Sequence, residues 1–159
     1  MAKQHQYKVA VLWHDDKGTS GYTSYSRDHI ITVAGKPAID ASSDPSFRGN
    51  PAKYNPEELF LASISNCHML WYLHLCAVNG VIVLSYEDNA RGIMEEQTNG
   101  SGQFTSVTLH PVVTVASKEM IQKAEKLHSE ANKYCFIANS LNFAVAHQPE
   151  IIVKESESE

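Results

Sequence analysis

The segment "SISNCHMLWYLHLC" (63–76) holds two cysteines, two histidines and an asparagine in a run otherwise apolar enough for a core helix. A third cysteine lies far downstream in "NKYCFIANS". Thiols serve as nucleophiles, redox partners or metal ligands, and in each role the thiolate is the active form. The first question is therefore what charge could generate a thiolate at Cys67. Cys67 falls about ten residues past the expected helix start, and the helix dipole acts only over the first turn. His68 is its immediate neighbour, and adjacent side chains on a helix do not face each other. His74 shares its face but stands two turns away, roughly 10 Å along the axis. An activating cation must come from another segment, and Arg27, Arg48, Lys53 and Arg91 are the candidates. On local grounds Cys67 is either a reactive thiol or a buried structural one, the commoner fate of free cysteine.

Cys76 points to the opposite helix face at ~100° per residue and is expected to pack. Cys67, His68, His74 and Cys76 do not converge on one point as metal ligands must, so no metal is expected. His110, His128 and His147 are scattered, without paired spacing. Cys135 lies where one helix should end and a third, short one (about 135–143) begin, and a helix N-terminus is the favourable place for a lowered thiol pKa. It reads equally well as a small core residue. Only the fold could bring Cys67 and Cys135 within the ~4.4–6.8 Å between Cα atoms that a disulfide needs.

The elements that must position these residues follow from pattern. "QYKVAVLW" (6–13) and "HIITVAG" (29–35) are rich in β-branched and aromatic residues and predict strands, with a third in "GKPAI". "DASSDPSFRGNPAKY" (40–54) predicts a loop. Asn55, Pro56, Glu57 and Glu58 form a strong helix start, and the helix should run to about Val78, where Asn79-Gly80 ends it. Residues 81–96 and 103–116 predict two strands joined in a hairpin at "QTNGSG". Ser117 should cap a second helix, and "PEIIVKE" (149–155) is a last strand. Strands, a long helix, strands, helices and a strand in that order indicate an α+β fold with mainly antiparallel sheet.

Length and charge narrow the class. The 159 residues suit one domain, 1–159, with 154–159 a frayed acidic tail. A net charge of −5 argues against nucleic-acid binding. Three cysteines without small-domain spacing indicate a reducing, cytoplasmic setting, in which any disulfide is catalytic. The N-terminus shows no signal-peptide pattern. Residues 59–86 carry no Asp, Glu, Lys or Arg, but Ser63, Ser65, Asn66, His68, His74, Asn79 and Gly80 interrupt them. A central helix covered on several sides fits better than a membrane span.

The stretch "NPEELFLASISNCHML" resembles the central helix of the OsmC/Ohr family, the osmotically inducible and organic hydroperoxide resistance proteins. The family pattern is Asn-Pro-Glu-Glu/Gln-Leu, a run of small and apolar residues, then Cys. "CFIANSL" occupies the place of the family's second-cysteine motif, and "SYSRDH" that of its early Arg-Asp pair. The likeness runs from about residue 7 to 154. Phe136 and Ala138 stand where the family usually has Pro and Ser, and Asn66 and His68 flank Cys67 where small or aromatic residues are common.

This resemblance implies antiparallel sheets around a long apolar helix, in an interwoven homodimer. It implies a peroxidase that reduces organic hydroperoxides. Cys67 would be the peroxidatic thiol and Cys135 its resolving partner. Arg27 would stabilise the thiolate and Glu57 would hold Arg27. No bound cofactor is implied; an external dithiol, typically lipoyl-linked in the family, would reduce the Cys67–Cys135 disulfide. Glu57 would lie about 15 Å along the helix from Cys67, which a second copy of the chain would reconcile. The alternative is a non-catalytic redox sensor, or a binder of small apolar ligands around Met69, Trp71 and Tyr72, on the same fold.

Overall fold

A computed structural model describes residues 2–156; the end of the acidic tail, 157–159, lies outside the described residues. The chain divides into two compact units, one up to Phe60 and one from Leu61 onward.

The first unit holds an antiparallel three-stranded sheet of β1 (Ala10–Leu12), β2 (His29–Thr32) and β3 (Ile39–Ala41). The two longer predicted strands are shorter than expected: 6–13 keeps only its C-terminal part and 29–35 only its N-terminal part. The predicted loop after β3 is anchored at both ends: Ala41 bridges to Tyr54, and Asn50 donates its N–H to Ser42 Oγ at 3.0 Å. A 3-10 turn at Pro45–Phe47 is capped by Asp44, which accepts from Ser46 N–H at 2.7 Å. Gly49 is required just beyond it, because a Cβ there would sit 1.5 Å from the Ser43 carbonyl oxygen.

α1 (Pro56–Val78) begins in this unit and continues into the next. Its start is a capping box. Asn55 Oδ1 accepts from Glu58 N–H at 2.9 Å, and Glu58 Oε1 accepts from Asn55 N–H at 3.1 Å. Its end is the predicted Asn79-Gly80, with Gly80 at φ +75° and Val81 N–H returning to Cys76 C=O at 2.9 Å.

In the second unit the two long predicted strands each break in two. β4 (Val83–Asp88) and β5 (Arg91–Glu96) separate at Asn89-Ala90; β6 (Gly102–Leu109) and β7 (Pro111–Val115) separate at His110. The breaks let the chain change sheets. β5 and β6 form the expected hairpin, while β4 pairs with β7 in another sheet. Two parallel pairings complete the sheets. β8 (Val145–His147), which pattern alone did not predict, joins β6, and β9 (Glu150–Val153) joins β7. The expected second helix is α2 (Ile121–Tyr134), led in by a 3-10 turn at Lys118–Met120.

α1 buries Ile64, His68, Tyr72 and Cys76, one residue per turn along a single stripe. The core of this unit joins Tyr72 and Cys76 to Val81, Val113, Val115, Ala124, Leu127 and Ala131. No helix among the described residues is long and apolar enough to cross a membrane.

Candidate functional site: two thiols between two helices

Cys67 lies on α1, one residue off the buried stripe, and is half-buried. Cys135 closes the C-terminal end of α2, its N–H bonded to Ala131 C=O, and is buried. The structure places these two side chains as neighbouring free thiols, near enough for Cys67 to help raise the pKa of Cys135. Burial pushes the Cys135 thiol up to about 11, and the nearness of Cys67 adds to the rise. The N–H of Ala138, 3.4 Å from the Cys135 sulfur, and that of Ile137 pull the other way without prevailing.

The helix predicted to open at Cys135 shrinks to one 3-10 turn at Ala138–Ser140, so no helix dipole is available there. Cys135 is accordingly a protonated thiol at neutral pH, and the half-buried Cys67 is the one open to a reactant. Cys76 is buried at the far end of the stripe, its thiol also raised by burial, as its expected packing role requires.

Aromatic side chains surround the thiols. Trp71, one turn on from Cys67, stacks on Tyr134 with centroids 5.2 Å apart and meets Phe136 edge-on at 5.6 Å. Tyr134 and Phe136 flank Cys135 in sequence, so Phe136, in the usual Pro position, joins this cluster while staying 70% exposed. A cavity of about 210 Å³ beside it is lined by Leu70, Trp71 and His74.

Arg27 and Glu57, both in the first unit, do not pair with each other in this chain. The Arg27 guanidinium donates to the carbonyls of Tyr25 and Tyr22 and lies 3.6 Å from the Tyr25 ring centroid. Glu57 Oε2 is buried without a hydrogen-bond partner among the described residues. Of the other candidate cations, Lys53 pairs with Asp28 at 3.1 Å, and Arg48 lies 6.0 Å from the Tyr22 ring. Arg91 lines a cavity of about 620 Å³ with Gly92, Thr108 and His110.

Sequence reasoning missed one arrangement altogether. His68, His128 and His147, scattered along the chain, stack in the interior of the second unit. His68 Nε2 and His128 Nδ1 are hydrogen-bonded at 3.0 Å with rings 7° from parallel, and the His147 ring lies 5.9 Å from that of His68. Tyr72 stacks on His128 at 3.9 Å. Burial lowers His68 to about 4 and His128 to about 3, so both are neutral at pH 7. Among the described residues no group of three or more His, Cys, Asp or Glu side chains is arranged to hold a metal ion. The signal was spacing that only the parallel β6–β8 pairing and the α1–α2 packing could create.

Fold and site together define an α+β protein whose long central helix sets one half-buried thiol against a second, fully buried thiol from the end of the next helix. A family model described as OsmC-like protein matches residues 49–150. An OsmC-like protein of unknown function from Vibrio cholerae is 35% identical, covering 92% of this chain and 99% of its own, with a TM-score of 0.81. The chain belongs to the OsmC-like family. Organic hydroperoxide resistance proteins share the fold at lower identity. That of Bacillus subtilis is 20% identical with a TM-score of 0.61, covering 94% of this chain and 98% of its own. That of Elizabethkingia anophelis is 16% identical with a TM-score of 0.68, covering 96% and 100%. No curated protein matches the chain.

Proposed function

We propose that the protein is a thiol-dependent peroxidase that reduces organic hydroperoxides by a two-cysteine cycle. The observation that carries this reading is the nearness of two unlinked thiols of unequal exposure, Cys67 half-buried and Cys135 buried. The Cys67 thiolate attacks the terminal peroxide oxygen. The S–O bond forms, the O–O bond breaks, and the alkoxide takes a proton to leave as an alcohol. Cys135 then gives up its proton and attacks the sulfenic sulfur, releasing water and forming the disulfide. A small external dithiol restores both thiols by exchange and is itself oxidised to a disulfide. The protonated state of Cys135 suits this order of events, because a neutral thiol does not compete for peroxide. The aromatic surroundings suit an apolar substrate.

The proposal includes a homodimer, with Arg27 as the activating cation and Glu57 as its anchor. Two features of the single chain favour a second copy. The small first-unit sheet exposes Val11, Leu12, Ile30 and Ile39. The outer stripe of α1, running through Ala62, Asn66, Leu70, His74 and Val78, is exposed and carries no Asp, Glu, Lys or Arg. A carboxylate oxygen of Glu57 that has no partner among the described residues also fits a cation brought by assembly.

The test is consumption of cumene hydroperoxide with dihydrolipoate as reductant. Wild type should turn over and Cys67→Ser should not. Equal inertness of the two toward all hydroperoxides would end the enzymatic reading. Disulfide formation without turnover would favour the redox-sensor alternative.

A further inference from the structure

Resting on the reading of Cys67 and Cys135 as a working pair, we propose that the buried His68–His128 hydrogen bond is the positioning device that holds the two thiols within bonding reach. α2 touches two adjacent stripes of α1. Its middle meets the 68/72 stripe, where His128 bonds to His68 and Ala124 C=O accepts from Tyr72 OH at 2.9 Å. Its end meets the 67/71 stripe, where Cys135 neighbours Cys67 and Tyr134 stacks on Trp71. His68 adjoins Cys67 in sequence, and His128 precedes Cys135 by two turns, about 10 Å along a stiff helix. A shift of α2 at His128 is therefore carried to the thiol.

Apolar contacts alone tolerate sliding; a hydrogen bond in a low-dielectric interior does not, because breaking it leaves both partners unsatisfied. The bond is also the ring's one polar tie: His128 Nε2 is buried with no hydrogen-bond partner among the described residues. His68 is 2% exposed and His128 0%, so water cannot replace the bond. A disulfide needs the two Cα atoms within ~4.4–6.8 Å, a narrow tolerance for two separate helices. His68 and His128 thus act through the thiols' placement rather than by touching a substrate.

The test needs no peroxide. Full-length protein is equilibrated in defined ratios of reduced and oxidised glutathione, alkylated, and the Cys67–Cys135 disulfide is quantified by mass spectrometry. His68→Leu and His128→Leu should lower the equilibrium constant for disulfide formation about tenfold, as effective thiol concentration falls. His68→Gln places an amide near Nε2 and His128→Asn places one near Nδ1; each should stay close to wild type. Val107→Ala, a buried change on β6, should cost stability and leave the constant unmoved. Should the Leu variants fail to fold, His68→Asn, too short to reach, takes their place. The proposal is overturned if those variants match wild type, or if Val107→Ala lowers the constant as much. Absence of the disulfide in wild type at every ratio also overturns it. A wild type that forms the disulfide but consumes no hydroperoxide refutes only the peroxidase reading.

Discussion

His68 on α1 and His128 on α2 face each other ring to ring, Nε2 to Nδ1 at 3.0 Å, inside a core that admits no solvent to either. Buried, bonded and neutral, the pair ties the two cysteine-bearing helices together. It also gives the protein a built-in sensitivity to acid.

That sensitivity has a definite sign. Burial is the main cause lowering both rings, with His147 adding to each; Asp88 favours protonation of His68 but is outweighed. Tyr72, stacked on His128, stays un-ionised, since burial raises its hydroxyl. Folded pKa values of about 4 and about 3 lie below the usual 6.5, so the unfolded chain takes up protons first as pH falls. Their contribution is fully present above pH ~6.5 and is lost as pH falls through about 4 for His68 and about 3 for His128, on the order of 2 kcal/mol per histidine being lost by pH 5. Urea unfolding at pH 7.5 and pH 5.0 measures it, and His68→Gln should flatten the dependence. A flat profile in wild type would refute the assignment.

The three cysteines should differ in reactivity. With a thiol-disulfide colorimetric reagent on native protein at pH 7.5, Cys67 should react first, while Cys76 waits for denaturant because it is 1% exposed and its thiol is raised by burial. Cys135→Ser should leave a long-lived Cys67 sulfenic acid after one equivalent of cumene hydroperoxide, trapped by dimedone. Rapid native labelling of Cys76, or no adduct on Cys67, would contradict these placements.

Tyr72→Phe should cost about 1–2 kcal/mol, because the Ala124 carbonyl is left buried without its hydroxyl donor. The loss should appear in the urea midpoint at pH 7.5, where the histidines are already neutral. An unchanged midpoint would mean that this tie between α1 and α2 carries no weight.

The capping box is an independent check on the helix start. Asn55→Ala removes the acceptor for Glu58 N–H and should destabilise by about 1 kcal/mol. Asn55→Asp, which keeps the acceptor, should be near neutral in the same measurement.

Local chemistry made much of this molecule legible. α1 starts and stops where Asn55-Pro56 and Asn79-Gly80 say it must, since caps and breakers act within a few residues. The α+β class and the Gln97–Ser101 turn followed from alternation and turn composition in the same way. The strand breaks at Asn89-Ala90 and at His110 were not legible, because β4 and β7 share one sheet and β5 and β6 another, a fact about pairing partners distant in the chain. β8 was missed because it is three residues long and owes its existence to β6.

By itself the sequence determined the long helix and the class of fold, and its spacing directed the search for an activating cation for Cys67 outside its own helix. The likeness of "NPEELFLASISNCHML" to a known family pointed to Cys135 as its partner. Only the tertiary structure decided that the two thiols are neighbours, that burial raises Cys135, and that three scattered histidines stack in the interior of the second unit. Those outcomes depend on long-range packing and on burial, which shift a thiol or an imidazole by amounts that no spacing along the chain encodes.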